Sequence, residues 1–430
     1  MSVNELRRKE QKMKQTTSIP KDKGLDNTIN LLKEGYLFIP NRMNLYDTDI
    51  FETYIMGQKT ICITGKGATK VFYNPRLFKR KGASPKRVQK TLFGQNAIQG
   101  KDGMAHIKRK SLFMEILSQE EEEKLARLVK EELKKTTCLW ENKGEVVLFR
   151  EISKVICYVV CNWVGIKITR IQANDISKDF IKMIYSFGSV GPKYRRGKEA
   201  RKEMEKWIEG IVESVRNNRL IVDKSTPLYK ICFYKDANNK LLDSKMAAIE
   251  IINIIRPIIA ISIYVVFAAT AVYSYPEYKE KVMKNKNNYN EMFVQEVRRF
   301  YPLTPFVGAR VKQDFLWNGY QFEKGNLVLL DVYGINHDSL IWDNPDEFIP
   351  ERFKNEEIDL FNFIPQGGGN PTITHRCPGE GMTVRITEAV IDFLLNDIDF
   401  EVKEQDLSYN LSKIPTLPRS GFIMSNIREK

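Results

Sequence analysis

The sequence lacks the features that mark secreted, disulfide-stabilised and membrane-anchored proteins. Its 430 residues include six cysteines, without a Cys-x-x-Cys pair or a disulfide-like spacing, so a soluble protein in a reducing, cytoplasmic compartment is favoured. The N-terminus is polar and has no apolar stretch of the kind found in signal peptides. We therefore interpret residues 1–24 as a flexible arm.

Linkers, repeats and long runs of one charge are also missing. No Gly/Ser-rich or Pro-rich segment divides the chain, so residues 25–430 are expected to form a single domain. The net charge of +14 lies mostly in short basic clusters without interleaved aromatics, which indicates a solvated basic surface and no nucleic-acid partner. With 42% hydrophobic residues, the chain can bury a large core.

One long hydrophobic run is present, over residues 251–273, and it carries polar and helix-breaking residues. Asn253, Arg256 and Pro257 oppose insertion into a bilayer, and Arg256 alone costs about 2.5 to 3.5 kcal/mol there. The run is long enough to span a membrane, but this balance favours a buried core helix. A buried arginine and an internal proline both cost free energy, so the run needs a compensating interaction.

Helical periodicity dominates the middle of the chain, over residues 118–137, 151–165 and 200–218. Ser118 followed by Glu121 is typical of a helix that begins with a capping box. Strand-like segments are confined to residues 61–65 and 307–334, and the second contains Asn-Gly and Lys-Gly turns. The sequence therefore predicts a mainly α fold with a small β region.

The C-terminal part contains a glycine-rich loop, "IPQGGGNPTITHRCPGEG", followed by a helical pattern. Cys377 lies just before this helix, where backbone N–H groups stabilise a thiolate. The glycines allow the backbone to approach a flat cofactor closely. Such a cysteine suits an axial iron ligand, although most isolated cysteines are small buried thiols.

Two further motifs precede this loop. In "EMFVQEVRRFYP", Glu296 and Arg299 share a helix face, which alone indicates only a surface ion pair. In "NHDSLIWDNPDEFIPERF", Arg352 lies in a Pro-Glu-Arg-Phe sequence. Together with the cysteine loop, these motifs resemble the cytochrome P450 superfamily, from about Asp26 to the C-terminus. In that superfamily, the corresponding Glu and two Arg residues form a buried network that positions the cysteine loop.

The resemblance implies the cytochrome P450 fold and a heme b cofactor with Cys377 as the axial ligand of the iron. It places His106 and Lys110, one helical turn apart in "GKDGMAHIKRKSLF", at the heme propionates, with Arg376 beside the ligand. For His106 the alternative is a satisfied, partly buried side chain. The other two histidines are interpreted as structural: His337 and His375.

The chain departs from oxygen-activating members of the superfamily in its long central helix, residues 244–273. Those members carry an acid and an alcohol that relay protons, whereas Arg256 and Pro257 stand here. This departure and the long glycine loop resemble the fatty-acid peroxygenase branch, which uses hydrogen peroxide directly. The stretches that carry the resemblance are "LFGQNAIQGKDG", "IIRPIIAI", "QEVRRFYP", "IPQGGG" and "HRCPGEG".

Arg256 is expected to bind the carboxylate of a fatty acid, because a planar guanidinium fixes both charge and orientation. The bound carboxylate would replace the missing proton relay. Pro257 leaves the carbonyl of Asn253 without a helical partner and favours a bend toward the heme. The alternative is an Arg256 that pairs with an acid of the chain itself.

Three more residues follow from the resemblance. Gln99 is placed above the heme, where an amide favours hydroxylation at the α or β carbon over decarboxylation to an alkene. Phe93 is expected to pack over heme and substrate, or else in the core, and Phe187 to line the alkyl channel. The expected partners are a fatty acid and hydrogen peroxide, with no obligatory reductase.

Two other functions fit the same motifs. A monooxygenase supplied with electrons by redox partners would share the fold, but the missing proton relay argues against it. A non-catalytic heme protein that senses or carries fatty acids has no need of a cation at the reactive face.

Overall fold

Helices make up most of the computed structural model, which describes residues 17–354 and 359–430. In chain order the α-helices are α1 Thr28–Glu34, α2 Phe38–Tyr46, α3 Gly65–Phe72, α4 Lys86–Val88, α5 Gly103–Ile116, α6 Gln119–Glu141, α7 Leu148–Val164, α8 Arg170–Ile184, α9 Gly191–Arg216, α10 Pro227–Cys232, α11 Ser244–Ser274, α12 Lys279–Lys284, α13 Tyr289–Phe300, α14 Val332–Asn336 and α15 Glu380–Asp392. Short 3-10 segments lie at Gly35–Leu37, Ile98–Gly100, Pro276–Tyr278, Lys286–Asn288 and Pro350–Phe353, and π-helical segments at Gln89–Phe93 and Phe393–Asp397.

The strands form three small sheets beside the helical body. They are β1 Ile50–Ile55, β2 Gln58–Ile63, β3 Phe78–Lys79, β4 Glu145–Val147, β5 Phe306–Val311, β6 Phe315–Trp317, β7 Tyr320–Phe322, β8 Leu327–Asp331, β9 Ile398–Glu401 and β10 Ile423–Glu429. One sheet has the order β1-β2-β8-β5-β3, the second β4-β10-β9, and β6 pairs with β7. The predicted mainly α fold with a small β region is confirmed.

The longest helix, α11, runs through the centre of the protein. The side chain of Asp243 caps its start by accepting the N–H of Met246 at 2.7 Å. The helix continues through Pro257 and packs against α7, α9 and α15. By length and hydropathy it would suffice to cross a membrane, but 89% of its most apolar stretch is buried inside the protein. The prediction of a buried core helix is confirmed.

The capping box predicted at the start of α6 is only partly present. Ser118 accepts the N–H of Glu121 at 3.5 Å, as predicted for the start of α6. The carboxylate of Glu121, however, accepts the indole N–H of Trp163 at 2.6 Å, so the predicted capping box is only half formed. A complete capping box occurs instead at the start of α8, between Thr169 and Gln172.

The flexible arm predicted for residues 1–24 does not include residues 17–24. Lys21 forms a bridge with strand β1, and the carboxylate of Asp22 lies 2.5 Å from the guanidinium of Arg42. Residues 17–24 therefore belong to the folded body, because partly buried ion pairs and strand contacts hold them. The rest of the predicted arm lies outside the described residues.

Candidate functional site

Cys377 lies at the end of the glycine-rich loop, immediately before α15. Its backbone N–H donates to the carbonyl of Gln366 at 2.9 Å, which closes the loop. Gly367 has a φ of 99°, and a side chain there would meet the backbone of Arg376 at about 3.1 Å. Burial raises the pKa of the Cys377 thiol, whereas the N–H of Gly379 lowers it. The loop thus holds a single cysteine in a rigid position.

Positive charge is concentrated around this cysteine. The ammonium of Lys110 donates to the carbonyls of Arg376 and Thr374, the second at 3.3 Å, and burial lowers its pKa to about 8. Glu380, at the start of α15, accepts from Arg298 and, at 2.6 Å, from Nε of Arg376. Among the described residues Nη1 of Arg376 is buried and has no partner. The cluster therefore has an unmet donor beside the cysteine.

The ring of His106 stacks on the ring of His375 with centroids 3.8 Å apart. Burial, with a smaller effect from Lys110, lowers the pKa of His106 to about 4, and burial holds the pKa of His375 well below its ordinary value. Both rings are therefore neutral at physiological pH. His375 thus packs against His106 beside the loop.

A buried charge network lies behind the loop. The carboxylate of Glu296 accepts two hydrogen bonds from Arg299, at 2.7 and 2.8 Å, and lies 3.2 Å from Arg352. Arg299 also donates to the backbone carbonyls of Asn336, Pro345 and Glu347. Since Glu296 and Arg299 have fully buried side chains, the surface ion pair considered from the sequence is excluded.

This network reaches the cysteine loop through one residue. The carbonyl of Asn336 accepts from Arg299 at 2.8 Å, while its side-chain oxygen accepts the N–H of Ile364 at 3.2 Å. Ile364 lies at the start of the loop, where its carbonyl accepts the N–H of Gly367 at 3.0 Å. A rigid path thus links α13 to the segment that carries Cys377.

The environment of Arg256, on α11, differs from that of Arg299 in the buried charge network. Its side chain is buried, and in residues 17–354 and 359–430 it has neither an acidic partner nor a hydrogen bond; Nε is buried without a partner. The guanidinium carbon lies 6.0 Å from the ring centroid of Phe93. Burial and, to a lesser degree, Arg201 lower its pKa to about 9, while Cys377 acts in the opposite direction. Arg256 is thus a buried cation within electrostatic range of the cysteine.

Beside Arg256, a chain of polar residues connects α5 to α11. Glu250 is completely buried and accepts from Nη1 of Arg109 at 2.5 Å. Its other carboxylate oxygen accepts from the amide of Asn253 at 3.1 Å. The same Asn253 amide lies 3.5 Å from the side-chain oxygen of Gln99. Gln99 is therefore connected to a buried ion pair.

The comparisons with known proteins settle the family. A family model described as cytochrome P450 matches residues 39–423 of the chain. The chain belongs to the cytochrome P450 family. Among solved structures, it is similar to cytochrome P450EX alpha (CYP152N1) with myristic acid, with 40% identity, a TM-score of 0.93, and coverage of 96% of this chain and 100% of that one.

Two further solved cytochromes P450 are similar over nearly the whole chain. An alanine variant of cytochrome P450 OleT in complex with arachidonic acid has 36% identity and a TM-score of 0.93, with 96% of this chain and 99% of that chain covered. A variant of cytochrome P450SP alpha (CYP152B1) has 37% identity and a TM-score of 0.92, with 94% of this chain and 100% of that chain covered. The branch of the cytochrome P450 superfamily predicted from the sequence is confirmed by these neighbours.

Curated cytochrome P450 relatives match over a shorter segment. Psoralen synthase from Ammi majus is 35% identical over 124 residues, which are 28% of this chain and 24% of the relative. Cytochrome P450 3A15 from Cavia porcellus is 37% identical over 128 residues, 29% of this chain and 25% of the relative. These alignments span about a quarter of each relative and support the family alone.

Heme b is the cofactor of a cytochrome P450, and the residues around Cys377 fit it. Within the described ranges there is no group of three or more His, Cys, Asp or Glu residues that would hold a metal ion. A single thiolate suits an iron whose other ligands come from a porphyrin. The unmet donor of Arg376 and the buried ammonium of Lys110 suit its anionic propionates.

The sequence-derived residues fall into two groups in this cytochrome P450. The first group is gathered around the cysteine loop: Cys377, Arg376, Lys110, His106, and the network Glu296, Arg299 and Arg352. In the second group, Arg256, Phe93 and Gln99 lie along α11 and the segment before α5. Phe187 is half-buried in the loop between α8 and α9. The contacts of these residues with heme and substrate stay predictions.

Sequence reasoning missed the ion pair of Glu250 and Arg109. Both side chains are almost fully buried. A signal was present, because Glu250 interrupts the apolar stretch "AAIEIINIIRP" within the core helix. A carboxylate in such a stretch must be paired, since an isolated buried charge is very costly. Its partner Arg109 lies in a basic cluster that was interpreted as a solvated surface.

Proposed function

We propose that this heme-thiolate oxidoreductase is a peroxygenase that hydroxylates long-chain fatty acids at the α or β carbon with hydrogen peroxide. The observation that carries the proposal is Arg256, a buried guanidinium without a partner among the described residues. Its neighbourhood includes the aromatic ring of Phe93, and it lies within electrostatic range of Cys377. The similar enzyme cytochrome P450EX alpha was solved with myristic acid, which supports a fatty acid as the missing partner.

A carboxylate would satisfy Arg256 in a way that water does not. Burial lowers the pKa of the guanidinium to about 9, so the empty site carries an unfavourable charge. A fatty-acid carboxylate accepts two parallel hydrogen bonds from a guanidinium and removes this cost. The carboxyl end is thereby fixed, and the carbons next to it are presented to the reactive centre, which explains α and β selectivity.

The reaction needs no external electrons. One oxygen atom of hydrogen peroxide enters a C–H bond, and the other leaves as water. Heme bound through Cys377 supplies the iron that activates peroxide, and thiolate donation favours O–O cleavage. The carboxylate held by Arg256 accepts a proton from one peroxide oxygen and returns it to the other, which leaves as water.

We expect the other predicted site residues to hold the heme and the cysteine loop in place. Lys110, Arg376 and His106 would hold the heme propionates, and Pro257, which has no N–H, leaves the Asn253 carbonyl free beside Arg256. The network Glu296, Arg299 and Arg352 holds the cysteine loop.

Three side chains complete the substrate side of the proposal. Phe93 would cover the substrate head, and Phe187 would line the alkyl channel. Gln99, an amide, favours hydroxylation over loss of carbon dioxide.

The proposal requires neither a reductase, a nucleic acid nor a membrane span. The long helix α11 is buried inside the protein. A cytoplasmic location is part of the proposal. Residues 25–430 are proposed to act as one catalytic domain.

The test is one reaction of purified holoenzyme with myristic acid and hydrogen peroxide, without reductase, followed by mass spectrometry of the products. We expect α- and β-hydroxymyristic acid as the main products. Turnover only with an electron-transfer system would identify a monooxygenase, and no turnover in either system would identify a binding protein. As a control, Cys377→His should abolish the thiolate spectrum and this turnover.

A further inference from the structure

Glu250 holds Gln99 by two independent routes. Its Oε1 accepts the backbone N–H of Ile98, the neighbouring residue, at 3.1 Å. Its Oε2 accepts from the side-chain amide of Asn253, which in turn lies 3.5 Å from Oε1 of Gln99. The backbone before Gln99 and the side chain of Gln99 are therefore both tied to one buried carboxylate.

The network assigns the direction of each amide. A carboxylate accepts hydrogen bonds and does not donate them, so Asn253 must turn its NH₂ group toward Glu250. This NH₂ group then faces the oxygen of Gln99, which leaves the NH₂ group of Gln99 free to donate elsewhere. Oδ1 of Asn253 is buried and has no partner in the described part of the chain. The network therefore leaves one amide donor, the NH₂ group of Gln99, available to a ligand.

The charge of Glu250 is neutralised by a residue other than Arg256. Arg109, on α5, lies 2.5 Å from Oε1, and both side chains are almost fully buried. Because Glu250 is paired with Arg109, it is not available as an ion-pair partner for Arg256, which lies six positions later on α11. Glu250 can consequently be changed without removing a direct partner of Arg256.

We infer that Glu250 is a positioning residue of the active site. Acting through Asn253, it fixes the amide of Gln99 so that Gln99 presents an N–H donor. This donor complements hydrogen peroxide, whose oxygens accept hydrogen bonds. The inference deepens the proposed function, on which it rests for the identity of the co-substrate.

Replacing Glu250 with glutamine should reverse the orientation of both amides, Asn253 and Gln99. In Glu250→Gln, the oxygen must still accept from Arg109 and Ile98, so the new NH₂ group faces Asn253. Asn253 then turns its oxygen toward this group, and Gln99 turns its NH₂ group toward Asn253. Both amides are inverted, and the donor offered by Gln99 becomes an acceptor.

The experiment compares Glu250→Gln with the control Glu132→Gln. Glu132 is also buried and pairs with an arginine, Arg170, at 2.5 Å, but it lies on α6. We expect the KM for hydrogen peroxide to rise about 10-fold or more in Glu250→Gln. The affinity for myristic acid should change little, since Arg256 is untouched. Both parameters should stay unchanged in the control.

A second readout does not depend on turnover. The C–O stretching frequency of the ferrous carbon monoxide complex responds to nearby hydrogen-bond donors. It should shift in Glu250→Gln and in the same direction in Gln99→Leu, and adding Glu250→Gln to Gln99→Leu should cause no further shift. If Glu250→Gln folds poorly, Asn253→Leu cuts the same connection while leaving Glu250 paired with Arg109.

The outcomes separate this inference from the proposed function. Unchanged KM and unchanged frequency in a folded Glu250→Gln protein would overturn the positioning role. A frequency shift in a wild-type background that shows no peroxide turnover would keep the positioning role and reject the peroxygenase. If Glu250→Gln shifted the C–O stretching frequency equally in the wild-type protein and in Gln99→Leu, the positioning role would also be contradicted.

Discussion

Two buried arginines in this protein have opposite surroundings. Arg299, on α13, donates to both oxygens of Glu296 and to three backbone carbonyls. Arg256, on α11, is almost as deeply buried but has no partner in residues 17–354 and 359–430. The fold supplies every hydrogen bond that the guanidinium of Arg299 needs, and the described residues supply none to the guanidinium of Arg256.

The difference distinguishes a structural charge from a binding charge. A buried ion pair that is fully hydrogen-bonded holds segments of chain in register, and removal of one member leaves the other uncompensated. A buried cation without a partner costs stability until a ligand arrives, so its presence indicates what the ligand must carry. For Arg256 the proposed complementary group is the carboxylate of a fatty acid.

The largest effect should follow from breaking the structural pair. Glu296→Ala leaves Arg299 buried without its acid, which should lower the free energy of unfolding by about 3–5 kcal/mol. Chemical denaturation of the holoenzyme measures this loss. Glu291→Ala, on the same helix, removes a half-exposed pair with Arg385 and should cost less than about 1 kcal/mol. Equal losses in the two variants would refute the structural role.

A more conservative change should affect turnover and leave the fold intact. Arg256→Lys keeps the charge but loses the two-pronged hydrogen bond to a carboxylate, so peroxide-driven turnover should fall about 10²-fold. The exposed Arg195 offers a control, since Arg195→Lys should leave turnover unchanged. A wild-type rate in Arg256→Lys would rule out the carboxylate-assisted mechanism.

Fatty-acid affinity should depend on pH through Arg256. Because burial lowers the pKa of its guanidinium to about 9, a rise in pH through this value removes the positive charge in the empty site. Affinity for myristic acid should therefore decrease from about pH 9 upward, while the neutral folded form becomes relatively more stable. Spin-state titrations across this range should give a flat profile for Arg256→Gln, and a flat wild-type profile would contradict the assignment.

The smallest effect is expected for Gln99→His, which should change the ratio of the products. Wild-type protein should form more hydroxy acid than terminal alkene. Gln99→His introduces a side chain that donates a proton, so the alkene fraction should rise several-fold. Gas chromatography of the products decides this, and an alkene majority in the wild type would show that the role of Gln99 is wrong.

Much of the architecture was predictable because its signals are local or ordered along the chain. The long helices follow from periodicity, and the order of Glu296, Arg299, Arg352 and Cys377 identified the family. The apolar run over residues 251–273 was correctly interpreted as a core helix, since its arginine and proline disfavour a bilayer. These features do not require knowledge of distant contacts.

Pairing across the fold was not predictable in the same way. Glu250 and Arg109 are 141 positions apart, and the residues around each of them give no indication that the two form a pair. The capping box at Ser118 also failed in part, because Glu121 bonds instead to Trp163, which the fold brings close. Tertiary contacts thus overrode the local preference at both places.

Arg256, which has no partner among residues 17–354 and 359–430, is proposed to bind a carboxylate. This proposal is tested most directly by comparing the affinity of myristic acid with that of the alcohol of the same chain length. The acid should bind to the wild-type holoenzyme at least about 30-fold more tightly, and this preference should disappear in Arg256→Met. Equal affinities of acid and alcohol in the wild type, or a preference that survives in Arg256→Met, would contradict the account.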